Sequence, residues 1–570
     1  MFRKNEKHLQ PALLSQINQL PEQQRQRLEQ SWAGVFYREV FSRLDETPFG
    51  VLYADIPSRP NIPVNVLVGL EYMKAGFGWS DEELYDAFLY NVQVRYALGY
   101  DVLGEGEFEL RTLYYFRQRL QRYMQEQGEN LLTKAFEQVT DEQIASFRLK
   151  TGMQRMDTTQ VSSNIHECGR LELLVVVLQR VYRMLREEDQ KRDAEAFQPY
   201  IKAPAGHYLY QLKSADFQPH LQQIGEFMFS LLAELKDGYF QEPVYQMLER
   251  VFHEHYRVDG HKVQGIPTPE LPPQRLVSPD DFSATRRGRR NTTYYGYAAN
   301  LSETCDPENA FQLITQVQLD SNNVDDPQFL LAALPQLKER GGLETLYTDG
   351  GFGSFEVDQA MQTHQVEQVP TGIRGRAPNT ERLRLIDFET QLDAAQEPIQ
   401  MQCPQGQTVP VERGNQKKGF VARFDPVTCQ SCPFGRNQKC PAQPVRNNPI
   451  RHFYFTQKEW WVVVRRKRVR SLAQADRNLR AAIEATCRAV KCRYPKGKFP
   501  VRGKFRMLYL LISSAAMNNI RQIQRFLVRK SSGRLEEKGR LVPNGVSSSM
   551  FFGRLLRPFR DFARFLPLFS

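Results

Sequence analysis

The chain has 570 residues, and 76 Lys and Arg against 65 Asp and Glu give a net charge of +11 and a pI near 9.1. With 41% hydrophobic and 11% aromatic residues it can build packed cores, which excludes a collagen-like, low-complexity or wholly disordered chain. No run approaches the ~18 apolar residues of a membrane helix, the start MFRKNEKHLQ lacks an apolar signal-peptide region, and eight cysteines are too few for a disulfide framework, so a cytoplasmic, non-membrane protein of about three or four units is expected.

Residues 1–57 are polar and Gln-rich and predict a helical or loosely ordered segment. From Pro60 an apolar helix (Val64 to Met73) leads through Gly76 and Gly78 to Ser80 and Glu83, whose spacing is that of a capping box. A second helix is expected from Asp81 to about Leu98 with Gly99 as its cap. A third, Thr112 to Tyr123, lies among Arg111, Arg117, Arg119 and Arg122 and carries Tyr114, Tyr115 and Phe116. Short helices with Arg and Tyr on the last suit a helix-turn-helix-like DNA-binding unit over 58–150, and equally a plain helical bundle.

An α/β alternation follows. A short strand, Gly152 to Asp157, precedes a helical insert at about 166–257. Strands are then expected at Tyr294 to Leu301 and around Phe311 to Leu319, where apolar and Gln residues alternate with period two. A helix (Asp326 to Glu339), a strand (Leu343 to Thr348), a short helix and a last strand (Val366 to Val369) complete the pattern. Without the insert the order is strand, hairpin, helix, strand, helix, strand, that of a ribonuclease-H-like sheet in an α/β catalytic domain over 151–530. Residues 374–464 read as a β-rich, irregular second insert holding four cysteines. A strong helix is expected from Leu472 to about Arg493, then an apolar helix from Met507 to Phe526, then a basic tail over 531–570. Residues 465–570 carry 26 Lys and Arg against 5 Asp and Glu, a net of +21, which leaves −10 on the rest. Such an asymmetry marks a polyanion-binding surface or a solvated basic tail.

Asp157 and Asp349 are expected at strand ends, where loops converge and chemistry is commonly placed. Gly350 and Gly351 permit a sharp turn directly after Asp349. Two such carboxylates supply hard oxygen ligands of the kind Mg²⁺ or Mn²⁺ prefers. On the helix beyond, Arg480, Glu484 and Lys491 fall within about 40° of one another at 100° per residue, with Arg477 and Arg488 close by. One acid among bases on a face whose other side is apolar is what a metal-dependent phosphoryl-transfer site needs, and is also what a solvated basic face looks like.

The segments MDTTQVSSN around Asp157, LYTDGGFGS around Asp349 and RAAIEATCRAVK from Arg480 to Lys491 resemble the DDE transposases of bacterial insertion sequences. The last is similar to the signature in which Tyr, Arg, Glu and Lys are separated by two, three and six residues, except that Arg477 stands where the family has Tyr. RPNIPVNVLVGLEYMKAGFGWSDEELYDAFLYNVQVRYALG, TLYYFRQRL and SSAAMNNIRQI extend the likeness over roughly residues 57–525. The resemblance implies a ribonuclease-H-like core whose Asp157, Asp349 and Glu484 hold two Mg²⁺ ions for cleavage and strand transfer. It also implies that Arg477, Arg480, Arg488 and Lys491 bind DNA, that the N-terminal helices bind terminal inverted repeats, and that the protein works as a homodimer or larger assembly. A catalytically inactive DNA-binding descendant and a metal-dependent nuclease of the same fold are the alternatives.

Cys429, Cys432 and Cys440, with Cys403 upstream, form a set that could hold a structural Zn²⁺ in an insert too irregular to own a core, or remain reduced thiols. His253, His255 and His261 are expected at the surface.

Overall fold

Strand β1 (Met153–Ser162) is the centre of the molecule's main sheet, and in the computed structural model its two edges are paired differently. The structure describes residues 1–9, 15–54, 60–210, 212–213, 216–260, 262–289, 292–374, 381–393, 397–414, 419–437, 439–445 and 448–532. The basic tail expected at 531–570 lies outside them beyond Ser532, as do Arg290 and His261. Residues 1–524 form one unit; of the second, 525–570, the described part is the end of a helix.

On one edge β1 runs antiparallel to β3 (Thr292–Thr304), which is joined to the shorter β2 (Thr285–Arg289) and on its far edge pairs antiparallel with β4 (Ile314–Ser321). On the other edge β1 runs parallel to β5 (Thr345–Thr348), which runs parallel to β6 (Glu367–Pro370). The main strands therefore lie in the order β4-β3-β1-β5-β6, a mixed sheet. The helix Asp326–Gly341 connects β4 to β5, and left-handed Gly342 ends it. The core on this side packs Met156 of β1 against Leu330, Leu334, Leu337, Leu346 and Phe352.

The helical insert is present as five helices, Arg170–Met184, Glu187–Ile201, Ala205–Tyr210, Phe217–Tyr239 and Pro243–His255, with a core of its own and a closing hairpin of Tyr256–Asp259 with Lys262–Gly265. His255 is buried, not at the surface. Arg170 donates to its Nδ1, and burial together with Arg170 and Arg275 pushes its pKa down to about 3. The second insert is β-rich, a six-stranded antiparallel sheet, but it is not too irregular to own a core, since Phe388, Met401, Phe420, Phe424 and Phe453 belong to one. Its expected end is too late: Gln457–Ser471 is a helix, started by a capping box between Thr456 and Glu459.

The expected helix Leu472 to Arg493 is two, Gln474–Ala481 and Ile483–Lys491, broken at Ala482. The expected helix Asp81 to Leu98 is likewise two, because the Asn91 side chain accepts from Gln93 and Val94 and starts Val92–Ala97 anew. The Ser80–Glu83 capping box forms as predicted. Residues 1–57 are not loosely attached where described: Phe36, Phe41 and Phe49 are wholly buried among the helices that follow.

The helix Val64–Phe77 packs on the long helix Lys504–Ser531, where a Cβ on Gly76 would stand 2.5 Å from Met517 Cγ. Arg117, on the helix expected to face DNA, is instead half-buried and held by Glu71 at 2.8 Å and Asp81 at 2.6 Å. On the same helix Arg111, Arg119 and Arg122 are exposed, with Tyr114 and Tyr115.

Candidate functional site

Alternation along β1 decides which groups meet. Arg155, Asp157 and Thr159 point to one face of the sheet, and each meets the helical pair at 474–491. Arg155 donates to the Leu479 carbonyl at 2.9 Å, Asp157 meets Arg480, and Thr159 Oγ1 accepts from Lys491. Asp157 is not at a strand end, as expected, but midway along β1, which runs on because β3 pairs with its full length. The parallel edge does stop there. Its register pairs Arg155 with Tyr347, so two residues further Asp157 lies abreast of Asp349, just past the end of β5.

The Ile483–Lys491 helix is docked by a buried network. Glu303 of β3 is 1% exposed; it accepts from Arg155 Nε at 2.8 Å and from Thr486 Oγ1 at 2.9 Å. Ile483, Cys487 and Val490 fill the same face of the helix. Glu484, one residue after Ile483, therefore turns to the rim of the site.

The three acids, 192 and 135 positions apart in sequence, converge on one guanidinium. Arg480 Nη2 lies 2.9 Å from Asp157 Oδ2 and 3.9 Å from Asp349 Oδ2, and Nη1 lies 2.9 Å from Glu484 Oε1. Asp157 is the deepest of the three; burial raises its pKa to about 6 against the opposing pull of Arg480, and Asp349 and Glu484 add to the rise. Three carboxylates sharing one cation leave a net negative set of oxygen donors, the chemistry and charge that a hard divalent cation prefers, although their oxygens do not all lie within 4.8 Å of one another as they stand around Arg480.

Asp326, which begins the β4-to-β5 helix, is a fourth acid that no sequence pattern singles out, since an acid in a first helical turn usually serves the helix dipole. Its Oδ1 accepts from Thr158, the neighbour of Asp157 on the opposite face of β1, at 2.8 Å. Burial raises its pKa, and Asp349 adds to the rise. Asp349 Oδ1 accepts from the Gly351 N–H at 2.7 Å. A Cβ on Gly351 would stand 2.5 Å from Asp326 Oδ2 and 2.9 Å from Asp349 Oδ1. Gly351→Ala should therefore push both carboxylates apart; the expected result is a weakened divalent-metal response with the helical content unchanged, read by metal titration and circular dichroism.

The four expected DNA-binding cations differ in their surroundings. Arg477 donates to the carbonyls of Thr371 at 2.8 Å and Val469 at 2.9 Å, so it ties its helix to the end of β6. Lys491 is half-buried on Thr159 and the Gln160 carbonyl, and burial lowers its pKa. Arg480 is held by the acids. Arg488 is exposed and has no ion pair or hydrogen bond among the described residues. The described part of the basic stretch behaves similarly: Arg465 pairs with Asp358, Arg468 donates to the Gln368 carbonyl, and Lys504 pairs with Asp320. Arg470, Lys496 and Arg506, with Arg488, are exposed and have no ion pair among the described residues.

Cys403, Cys429, Cys432 and Cys440 line one cavity of about 20 Å³ in the second insert, beside Phe388 and Phe424. They are gathered but not closed, since among the described residues the His, Cys and acid group with donor atoms within 4.8 Å of one another is a different one, His166, Cys168 and Glu172. Glu172 there caps its helix through the Gly169 N–H and takes a hydrogen bond with His166. No helix among the described residues is long and apolar enough to cross a membrane. Comparison with protein-family models, with curated proteins and with solved structures gives no match.

Proposed function

We propose that the chain is a DNA transposase of an insertion sequence, built on a ribonuclease-H-like core, which binds terminal inverted repeats and carries out metal-dependent cleavage and strand transfer. The observation that carries this reading is the meeting of Asp157, Asp349 and Glu484 around Arg480. The strand order β4-β3-β1-β5-β6, with antiparallel and parallel halves, supports the fold part of it.

Asp157, Asp349 and Glu484 would hold Mg²⁺ or Mn²⁺, which when bound would supply activation of an attacking water or 3′-hydroxyl and neutralisation of phosphate charge. The chain's own part is positional. β1 and β5 present two acids in register, and the Glu303 network fixes the helix that presents the third. Arg488 and its exposed neighbours meet the DNA backbone, whereas Arg477 and Lys491 hold the scaffold. Arg488→Ala should weaken DNA binding evenly across sequences and reduce the slope of log K against log salt by about 0.9, read by anisotropy at several salt concentrations. Joining two element ends calls for at least a homodimer.

The test is a labelled duplex carrying the end of the element that encodes the chain, incubated with Mg²⁺. Cutting followed by joining supports the reading; cutting alone indicates a nuclease, and binding alone an inactive descendant.

In the second insert we assign a structural Zn²⁺ to the four cysteines. The expected result is about one zinc per chain by metal analysis, lost in Cys432→Ser, with faster proteolysis confined to residues 397–445. A zinc-free chain with the same proteolysis pattern counts against it.

A further inference from the structure

Arg480 is the common neighbour of all three acids, and its position is unusual for a residue whose expected partner is a DNA phosphate. Its side chain is 13% exposed. Both terminal nitrogens face carboxylates, and its Nε is buried without a hydrogen-bond partner. A guanidinium keeps carboxylate oxygens about 2.7–2.9 Å from its nitrogens, whereas Mg²⁺ draws its oxygen ligands to about 2.0–2.1 Å. An oxygen has lone pairs for both contacts, so the conflict is one of space: a cation and a guanidinium nitrogen cannot occupy the same gap between the acids. Nη2 takes the gap between Asp157 Oδ2 and Asp349 Oδ2, at 2.9 Å and 3.9 Å.

We infer that Arg480 is an internal counter-cation that holds Asp157, Asp349 and Glu484 together before metal arrives, and that a divalent cation must displace it to bind. This rests on the metal-site reading above. Two physical arguments support it. Three carboxylates drawn together with no cation would repel one another, most at buried Asp157 and less at Asp349 and Glu484, which water partly screens; one guanidinium offsets part of that and preserves the geometry. The hold is also incomplete. One positive charge against three negative leaves the pocket attractive to a divalent ion, and the unpaired Nε adds no anchor. Once displaced, the side chain is free to leave the acids for the mouth of the site, where Glu484 is about half exposed and a phosphate would approach. Arg480 would thus couple metal entry to DNA contact.

The experiment is Mn²⁺ binding to the full-length, DNA-free protein by electron paramagnetic resonance and calorimetry, with thermal unfolding in chelator and in Mn²⁺. Arg480→Gln should bind Mn²⁺ about tenfold tighter or more than the native chain. It should melt lower in chelator, and show a larger rise in melting temperature on adding Mn²⁺. Arg480→Lys, which retains a charge but cannot fork between two carboxylates, should fall between; it also serves as the test if the Gln variant does not fold. Unchanged or weaker Mn²⁺ binding in both variants overturns the counter-cation role and leaves the metal site standing. No Mn²⁺ binding in any of the three proteins overturns the metal site and this inference together. Asp157→Asn must abolish the signal, which keeps the readout tied to this pocket.

Discussion

Asp157→Asn and Glu484→Gln are each expected to reduce Mg²⁺-dependent cleavage of an element end by about 10³-fold or more, with DNA binding retained. Each change keeps the size of the side chain and removes one charged oxygen ligand. Asp157 sits at the bottom of the site, against Arg480 and abreast of Asp349, so its loss removes a ligand that no neighbour on the same face of β1 can replace: Arg155 is cationic and Thr159 is taken by Lys491. Glu484 is nearer the rim, and its neighbours on the same helix face are basic. The acids act as a unit, so the double variant should be little worse than either single one. DNA binding should hold or strengthen, since each change removes a negative charge facing a polyanion. The check is a gel assay of cutting beside an anisotropy assay of binding. Cutting at native rate in either variant would mean that the chemistry lies elsewhere.

Much of this arrangement was legible in the sequence because it depends on local pattern. The period-two stretch at Phe311 to Leu319 became β4, the turn at Gly350 and Gly351 did follow a strand, and the Ser80–Glu83 box did start a helix. What was not legible is what pairing and burial decide. Asp157 was expected at a strand end because β1 reads as ending there; its further five residues are strand only because β3 is long enough to pair with them. The helix Gln457–Ser471 was missed because its Trp460-Trp461-Val462-Val463-Val464 run favours strand by propensity, and the cap at Thr456 and Glu459 prevails. The charge pattern misled in a different way. A count of Lys and Arg does not distinguish an exposed cation from one held on a carbonyl or an acid, and Arg465, Arg468, Arg477, Arg480 and Lys491 are all of the second kind. Asp326 and Glu303 carry no sequence signal at all: one looks like a helix-start acid, the other is a lone acid at the end of a strand.

Glu303 yields the second large effect. Its carboxylate is 1% exposed, between Arg155 and Thr486. Glu303→Ala leaves the Arg155 guanidinium, itself 7% exposed, without its counter-charge, and breaking one side of a buried ion pair costs about 3–5 kcal/mol. That is a large part of the ~5–15 kcal/mol that a domain has in total. A chain of several units need not unfold in one step, so the informative readout is local: amide exchange in Ile483–Lys491 should quicken by about two orders of magnitude or more, with the five-helix insert at 170–255, which has its own core, unchanged. Cleavage should fall with it, because the helix that detaches carries Glu484. Replacing both partners by apolar residues, as in Arg155→Met with Glu303→Leu, removes the uncompensated charge and should recover part of the lost protection. Arg155 would still be missing from the carbonyl of Leu479, the residue before Arg480. Recovery of exchange protection without recovery of cleavage would then separate two tasks of the network: holding the helix on the sheet, and aiming Arg480 at the acids.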